Sequence, residues 1–281
     1  MQERLREDMI RRRRKILKKK IGLALMLLWI IFFIVVVYAT GGTLAAWIWN
    51  GSVFVLAPVA CIAFLIQFVV GIIRICKRKN IKWNLVFLLV TLVIAYPVTI
   101  LFGCSKLTYP AKLGSYDGII FQEPVEGGTA KGGKEFKPHA VWPSECYAYD
   151  IVKTPYEVGS HRLEDYGIYQ ADVKAPIDGE VIGLKDDEED VLPNTEDFVS
   201  LSGNYIYIKI DKTDTYLILA HLEKDSINVK IGDKVKKGQV IAKVGNSGTT
   251  SEPHLHIQHQ KENPLEISIP VCAQGLPIEF E

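Results

Sequence analysis

Two histidines stand at i and i+2, His254 and His256, inside the stretch VGNSGTTSEPHLHIQHQ (Val244–Gln260). That stretch holds three of the chain's six histidines within six residues. Alternate residues of a strand point to the same face, so both rings reach one spot, and neutral imidazole is the commonest metal ligand. The pattern therefore asks for further ligands elsewhere in the chain. His259 falls on the opposite face if the strand is unbroken, and no role is assigned to it. The acidic run DDEED (Asp186–Asp190) lacks the alternating ligands and the glycine of a calcium loop and reads as a solvated loop.

The elements that would position these histidines are strands. After about Val141 the text consists of short runs rich in Val, Ile and Tyr, bounded by Gly, Asp, Asn or Pro: CYAYDIV, GEVIGL, NYIYIKI, TYLILAHL, DKVKKGQVIAKV and HLHIQ. Such runs predict a mainly antiparallel β domain, large enough to bury its own core. The run VKIGDKVKKGQVIAKVG reads as a hairpin of a kind also found in biotinyl and lipoyl carrier domains and in membrane-fusion proteins. A carrier would carry its modified lysine in a tight turn beside methionine, whereas Lys243 is followed by Val-Gly-Asn-Ser-Gly and the domain has no Met-Lys pair.

Taken in order, VKAPIDGEVIGL, GNYIYIKI, YLILAHL, VKIGDKVKKGQVIAKVGNSG and PHLHIQ resemble the lysostaphin-type (LytM-like) zinc metalloendopeptidase family over roughly Tyr147–Gln258. The resemblance implies a duplicated-hybrid-motif-like β sandwich that hydrolyses peptide bonds of peptidoglycan. It implies Zn2+ held by a His and an Asp from an upstream motif and by the second His of HxH. Carried over, His256 is a metal ligand, and His221 and His254 are catalytic. Two upstream pairs are open. His139 and Asp150 are preferred, because Asp150 opens an apolar strand and a strand holds a carboxylate rigidly. His161 and Asp165 form a literal HxxxD but lack its usual middle glycine and run into a polar stretch. Loss of the upstream ligands would instead leave a non-catalytic relative that binds cell wall or a membrane partner. Two His and one Asp leave a fourth zinc position open, as in catalytic sites. With no HExxH, the proton work would fall to His221 and His254.

The first hundred residues differ in kind. Lys and Arg total 33 against 32 Asp and Glu, but the first twenty residues carry RRRRK and KKK, and a long apolar tract follows. The apolar tract argues for orientation in a membrane over nucleic-acid binding. Approximately Ile21–Tyr38, Ser52–Ile73 and Leu85–Phe102 are each apolar enough to span about 30 Å of hydrocarbon. Further spans after the first, and no small-residue cleavage site, argue against a removed signal peptide. The Arg-rich head and the hinge RICKRKNIK (Arg74–Lys82) place both on the cytoplasmic side. The first connection, ATGGTLAAWIWNG, has no Lys or Arg, and its Trp47 and Trp49 suit an interface. The expected organisation is a basic cytoplasmic N-terminus (1–20), three transmembrane helices (21–103), a Gly-rich linker (104–135) and a zinc metallopeptidase-like domain (136–281) outside the cytoplasm. The expected partners are the lipid bilayer and a peptidoglycan peptide, with no nucleic acid. Five cysteines cannot all pair internally and show no CxxC.

Overall fold

The computed structural model describes residues 2–113, 116–133, 136–195, 197–211 and 213–281. Four residues of the Gly-rich segment, Gly114, Ser115, Lys134 and Glu135, fall outside them. The chain divides into two compact units, Met1–Pro110 and Ala111–Glu281.

The first unit is helical. Its helices are α1 (Gln2–Phe33), α2 (Gly42–Gly51), α3 (Ala57–Cys76) and α4 (Lys82–Ala95). Among the described residues, three helical stretches are long and apolar enough to cross a membrane: Arg4–Thr40, Gly42–Cys76 and Lys82–Ile100. The first connection, ATGGTLAAWIWNG, is mostly helical. Only Gly41, with φ 73°, interrupts the path. Of the two tryptophans in this connection, Trp47 is exposed and Trp49 is not. Trp49 is buried, with Phe33 and Tyr109 rings 6.2 and 5.6 Å away. Within the α3–α4 pair, Asn84 Nδ2 donates to the carbonyl and to Oε1 of Gln67, at 2.9 and 2.7 Å. Helix-to-helix hydrogen bonds of this kind contribute about 0.6–2 kcal/mol in lipid.

Among its described residues the second unit carries one short α-helix, α5 (Lys137–Ala140), and ten strands. They are β1 (Thr129–Gly132), β2 (Tyr149–Val152), β3 (Asp172–Lys174), β4 (Gly179–Lys185), β5 (Asn204–Ile210), β6 (Tyr216–Leu222), β7 (Lys234–Val235), β8 (Val240–Lys243), β9 (Leu255–Gln260) and β10 (Gly275–Leu276). The main sheet runs β1-β2-β9-β6-β5-β4-β7, with β10 also on β9, and β3 pairs β8 in a separate ribbon. All strand pairs are antiparallel. Strand β1 lies inside the segment that reads as a linker, and it joins the sheet at β2.

Strand alternation explains both faces. Leu217 and Leu219 on β6, Ile206, Ile208 and Ile210 on β5, and Leu255 and Ile257 on β9 enter one core with Val173, Ile241 and Ala242 of the ribbon. Each of the Val, Leu and Ile side chains contributes about 1.5–3 kcal/mol on burial. The ribbon thus packs on the sheet as the second layer of a sandwich. The intervening residues Ile218, Ala220, Tyr207, His254, His256, Gln258 and Gln260 line a groove. The expected β7–β8 hairpin does not pair with itself. Its turn passes the chain from the main sheet to the ribbon, so that Val235 and Ile241 both reach the core. Lys243 lies within β8, bound to Asp172, and not in a tight turn.

Candidate metal centre and its groove

Three neighbouring strands bring the chemistry together. In register, Asp150 of β2 faces His256 of β9, and His256 faces Ala220 of β6. His256 Nδ1 lies 3.0 Å from Asp150 Oδ1. His139, delivered by α5, places Nε2 3.3 Å from Asp150 Oδ2. One ligand atom from each of His139, Asp150 and His256 lies within 4.8 Å of the others, and this is the one such cluster among the described residues. His161 and Asp165 are not part of it. The His161 ring bonds the Pro193 carbonyl at 2.9 Å, and Asp165 accepts from Ser160 Oγ at 2.5 Å.

The outer nitrogens of the two rings also have partners. His139 Nδ1 lies 3.4 Å from the Ala148 carbonyl, and His256 Nε2 lies 3.5 Å from Gln258 Oε1. Such partners fix which nitrogen is left to bind a cation. Gln258 is itself held by Gln260, Nε2 to Oε1, at 2.7 Å. Two imidazoles and one carboxylate form a donor set that zinc accepts, with a fourth position to spare.

The electrostatics of the metal-free chain agree with that chemistry. Burial alone would raise the Asp150 carboxyl, but His254, His139 and His256 outweigh it and hold it well below the usual carboxylate range. Burial alone would lower His256, but its bond to Asp150 raises it above the ordinary histidine value. The pair therefore holds a proton where a cation can replace it.

His221 and His254 stand beside the cluster with ring centroids 4.7 Å apart. His221 is the extra residue of a β-bulge: Tyr205 pairs Ala220 and Asn204 pairs Leu222, leaving His221 unmatched at φ 62°. A bulge of this type re-aims a side chain, and the left-handed backbone of a non-glycine residue costs about 1–3 kcal/mol. Its Nδ1 bonds the Ser247 carbonyl at 2.8 Å. Burial, with His254 and His256 nearby, pushes its pKa down to about 3. His254 is tied the same way, Nδ1 to the Glu252 carbonyl at 2.8 Å, with Thr250 Oγ1 3.2 Å away. Its Nε2 lies 3.5 Å from Asp150 Oδ1. Both rings thus use Nδ1 for a backbone carbonyl and keep Nε2 for the site.

The Gly-Asn-Ser-Gly turn explains the Ser247 carbonyl. A Cβ on Gly203 (φ 60°) would lie 2.2 Å from that oxygen, and one on Gly248 (φ 78°) would lie 2.2 Å from Gly203 N. Two bare backbones must meet there for His221 to find its acceptor. His259 lies on the other face, between Thr215 Oγ1 at 2.9 Å and the Pro277 carbonyl at 3.1 Å.

All five site residues line one groove of about 440 Å3, with Trp142, Glu145, Tyr207, Gln258 and Gln260 on its walls. Sequence reasoning missed Thr250, Ser247, Gln258 and Glu145. Gln258, at i+2 from His256, was within reach of the same alternation argument.

Residues 160–267 match the family model described as Peptidase family M23. The matched range contains His221, His254 and His256 and begins after His139 and Asp150. The chain is 36% identical over 73 residues to the peptidoglycan DD-endopeptidase ShyC of Vibrio cholerae, covering 25% of this chain and 16% of that protein. It is 31% identical over 126 residues to Endolysin 2638A of Staphylococcus phage 2638A, covering 43% of this chain and 23% of the endolysin. The chain thus spans less than a quarter of the length of either relative. Lysostaphin from Staphylococcus simulans superposes over 53% of this chain and 47% of its own, at 21% identity and a TM-score of 0.35. Over residues 160–267, the chain is similar to peptidase family M23.

Proposed function

We propose that the chain is a membrane-anchored zinc endopeptidase that hydrolyses peptide bonds of peptidoglycan, in stem peptide or cross-bridge, outside the cytoplasm. The observation that carries this reading is the opening of the His139/Asp150/His256 cluster onto the same groove as the Nε2 sides of His221 and His254. The match of residues 160–267 to peptidase family M23 and the peptidoglycan-directed name of one relative support the substrate.

In this reading His139, Asp150 and His256 hold the metal. Zinc, when bound, supplies a Lewis acid and brings the pKa of a coordinated water to about 7. His221 stays neutral across the physiological range, because burial pushes its pKa down to about 3. With Nδ1–H given to Ser247, its Nε2 accepts a hydrogen bond and so orients a water on the groove floor. His254, beside the Asp150 carboxylate, takes a proton at Nε2 and passes it to the leaving amine. The apolar groove wall formed by half-buried Ile218 and buried Ala220 keeps bulk water from one side of the bond.

The three apolar helices support the anchoring. The Lys/Arg bias puts the N-terminus and the Arg74–Lys82 hinge in the cytoplasm and the β domain outside. The deciding experiment incubates the full chain, in detergent and zinc-loaded, with purified peptidoglycan and counts new amino groups. Release of amines, reduced about 10²–10⁴-fold in His254→Ala, supports the reading. A zinc-loaded chain that releases none ends it.

A further inference from the structure

The groove carries a charge pattern that the hydrolytic reading does not use. Among its lining residues the carboxylates are Asp150 and Glu145, and none is lysine or arginine. Asp150 is engaged by three histidines. Glu145 is half-buried, and its carboxylate makes no hydrogen bond or ion pair with any described residue. It stands on the loop between His139 and Asp150. That loop is pinned by backbone bonds from Glu145 N to the Trp142 carbonyl (3.1 Å) and from Ala148 N to the Glu145 carbonyl (2.7 Å).

A second groove shares Asp150, Ser251 and His254 with the first and continues it past the site. Its one cation, Lys131, is committed to Glu157 and sits 3.8 Å from the Tyr156 ring centroid. Glu252 lines the same arm. A substrate carboxylate therefore finds no uncommitted cation in either arm among the described residues. A substrate ammonium finds Glu145, with the indole of Trp142 on the same wall. A carboxylate beside an aromatic ring is a setting that favours ammonium groups.

We infer that Glu145, with Trp142, is a specificity-determining element that recognises a primary ammonium group of the peptide substrate close to the scissile bond. This rests on the peptide-hydrolase reading of the site. It narrows the substrate class to peptides that carry a free side-chain or terminal amine, and it disfavours peptides whose nearby groups are carboxylates alone.

The test uses a cross-linked peptidoglycan peptide with its amine free and the same peptide acetylated, each given to the zinc-loaded full chain in detergent. The expected result is about a tenfold higher kcat/KM for the free amine, a ratio that falls toward one in Glu145→Gln, the variant retaining its zinc. The unmodified chain offers a second measurement, since a charge-based preference shrinks as salt is raised. A ratio near one in the unmodified chain overturns the inference, as does a ratio that survives Glu145→Gln or is indifferent to salt. If neither peptide is cleaved, the hydrolytic reading fails by itself. The dissociation constants of the two peptides then decide, and equal constants overturn the role of Glu145.

Discussion

Asp150 and His256 are 106 residues apart in the chain, yet they face each other in register across β2 and β9, with Oδ1 and Nδ1 3.0 Å apart. The antiparallel ladder places directly opposed side chains about 4.5–5.5 Å apart at Cβ, which leaves both head groups pointing into the groove. Every step of the proposed chemistry depends on that pairing.

The first prediction concerns metal content. The full chain in detergent should bind about one zinc, and Asp150→Ala should weaken it by more than the roughly 10–100-fold that loss of an outer-shell partner costs. Asp165→Ala should bind like the parent, since Asp165 is turned to Ser160. Metal analysis after dialysis reads both. Retention in Asp150→Ala with loss in Asp165→Ala would transfer the site to the His161 pair.

Zinc uptake should also release protons and weaken in acid. In the metal-free chain Asp150 raises the pKa of His256, so protons compete with zinc at pH values above the ordinary histidine range. Titration calorimetry in buffers of different ionisation enthalpy measures the protons released at each pH. An uptake independent of pH would contradict this account.

Gly203→Ala should cripple turnover without removing zinc. The new Cβ would fall 2.2 Å from the Ser247 oxygen that anchors His221, and the residue's φ of 60° adds strain. We expect a drop in kcat of about 10²-fold, the low end for a lost proton-handling group, with metal content near that of the parent. Unchanged turnover would show that the Ser247 carbonyl does not position His221.

Acid should destabilise the β domain through His259. Burial pushes its pKa down to about 4, so below about pH 6.5 the unfolded chain takes up a proton that the folded chain refuses. Stability from this group is full above pH 6.5 and is lost as pH falls toward 4, on the order of 2 kcal/mol by pH 5. Thermal unfolding of the metal-free chain at pH 8 and pH 5 reads the loss. His259→Gln, which cannot titrate, should show a smaller difference between the two pH values, and an equal difference would remove His259 as its source.

Topology is open to a thiol test. Cys76 and Cys104 are both exposed, one near the Arg74–Lys82 hinge and the other past the third apolar helix. In intact cells a membrane-impermeant maleimide should label Cys104 and spare Cys76 until the membrane is opened. The reverse pattern would invert the chain and place the β domain in the cytoplasm.

The sequence by itself determined what short-range patterning encodes. Apolar runs near twenty residues announced the three helices, and alternation announced most strands, because both patterns are read within about ten to twenty neighbouring residues. The same alternation set His254 and His256 on one face and His259 on the other. Tertiary structure alone decided which upstream residues meet them. Two His/Asp pairs were compatible with the text, and only the pairing of β2 with β9 brought His139 and Asp150 to His256 while leaving His161 on the Pro193 carbonyl. Strand partners chosen across a hundred residues depend on how a whole core closes, and no local window records that choice. The bulge that aims His221, the route of β7 and β8 into different sheets, and the open carboxylate of Glu145 belong to the same class. Each depends on contacts between segments that are distant in the chain.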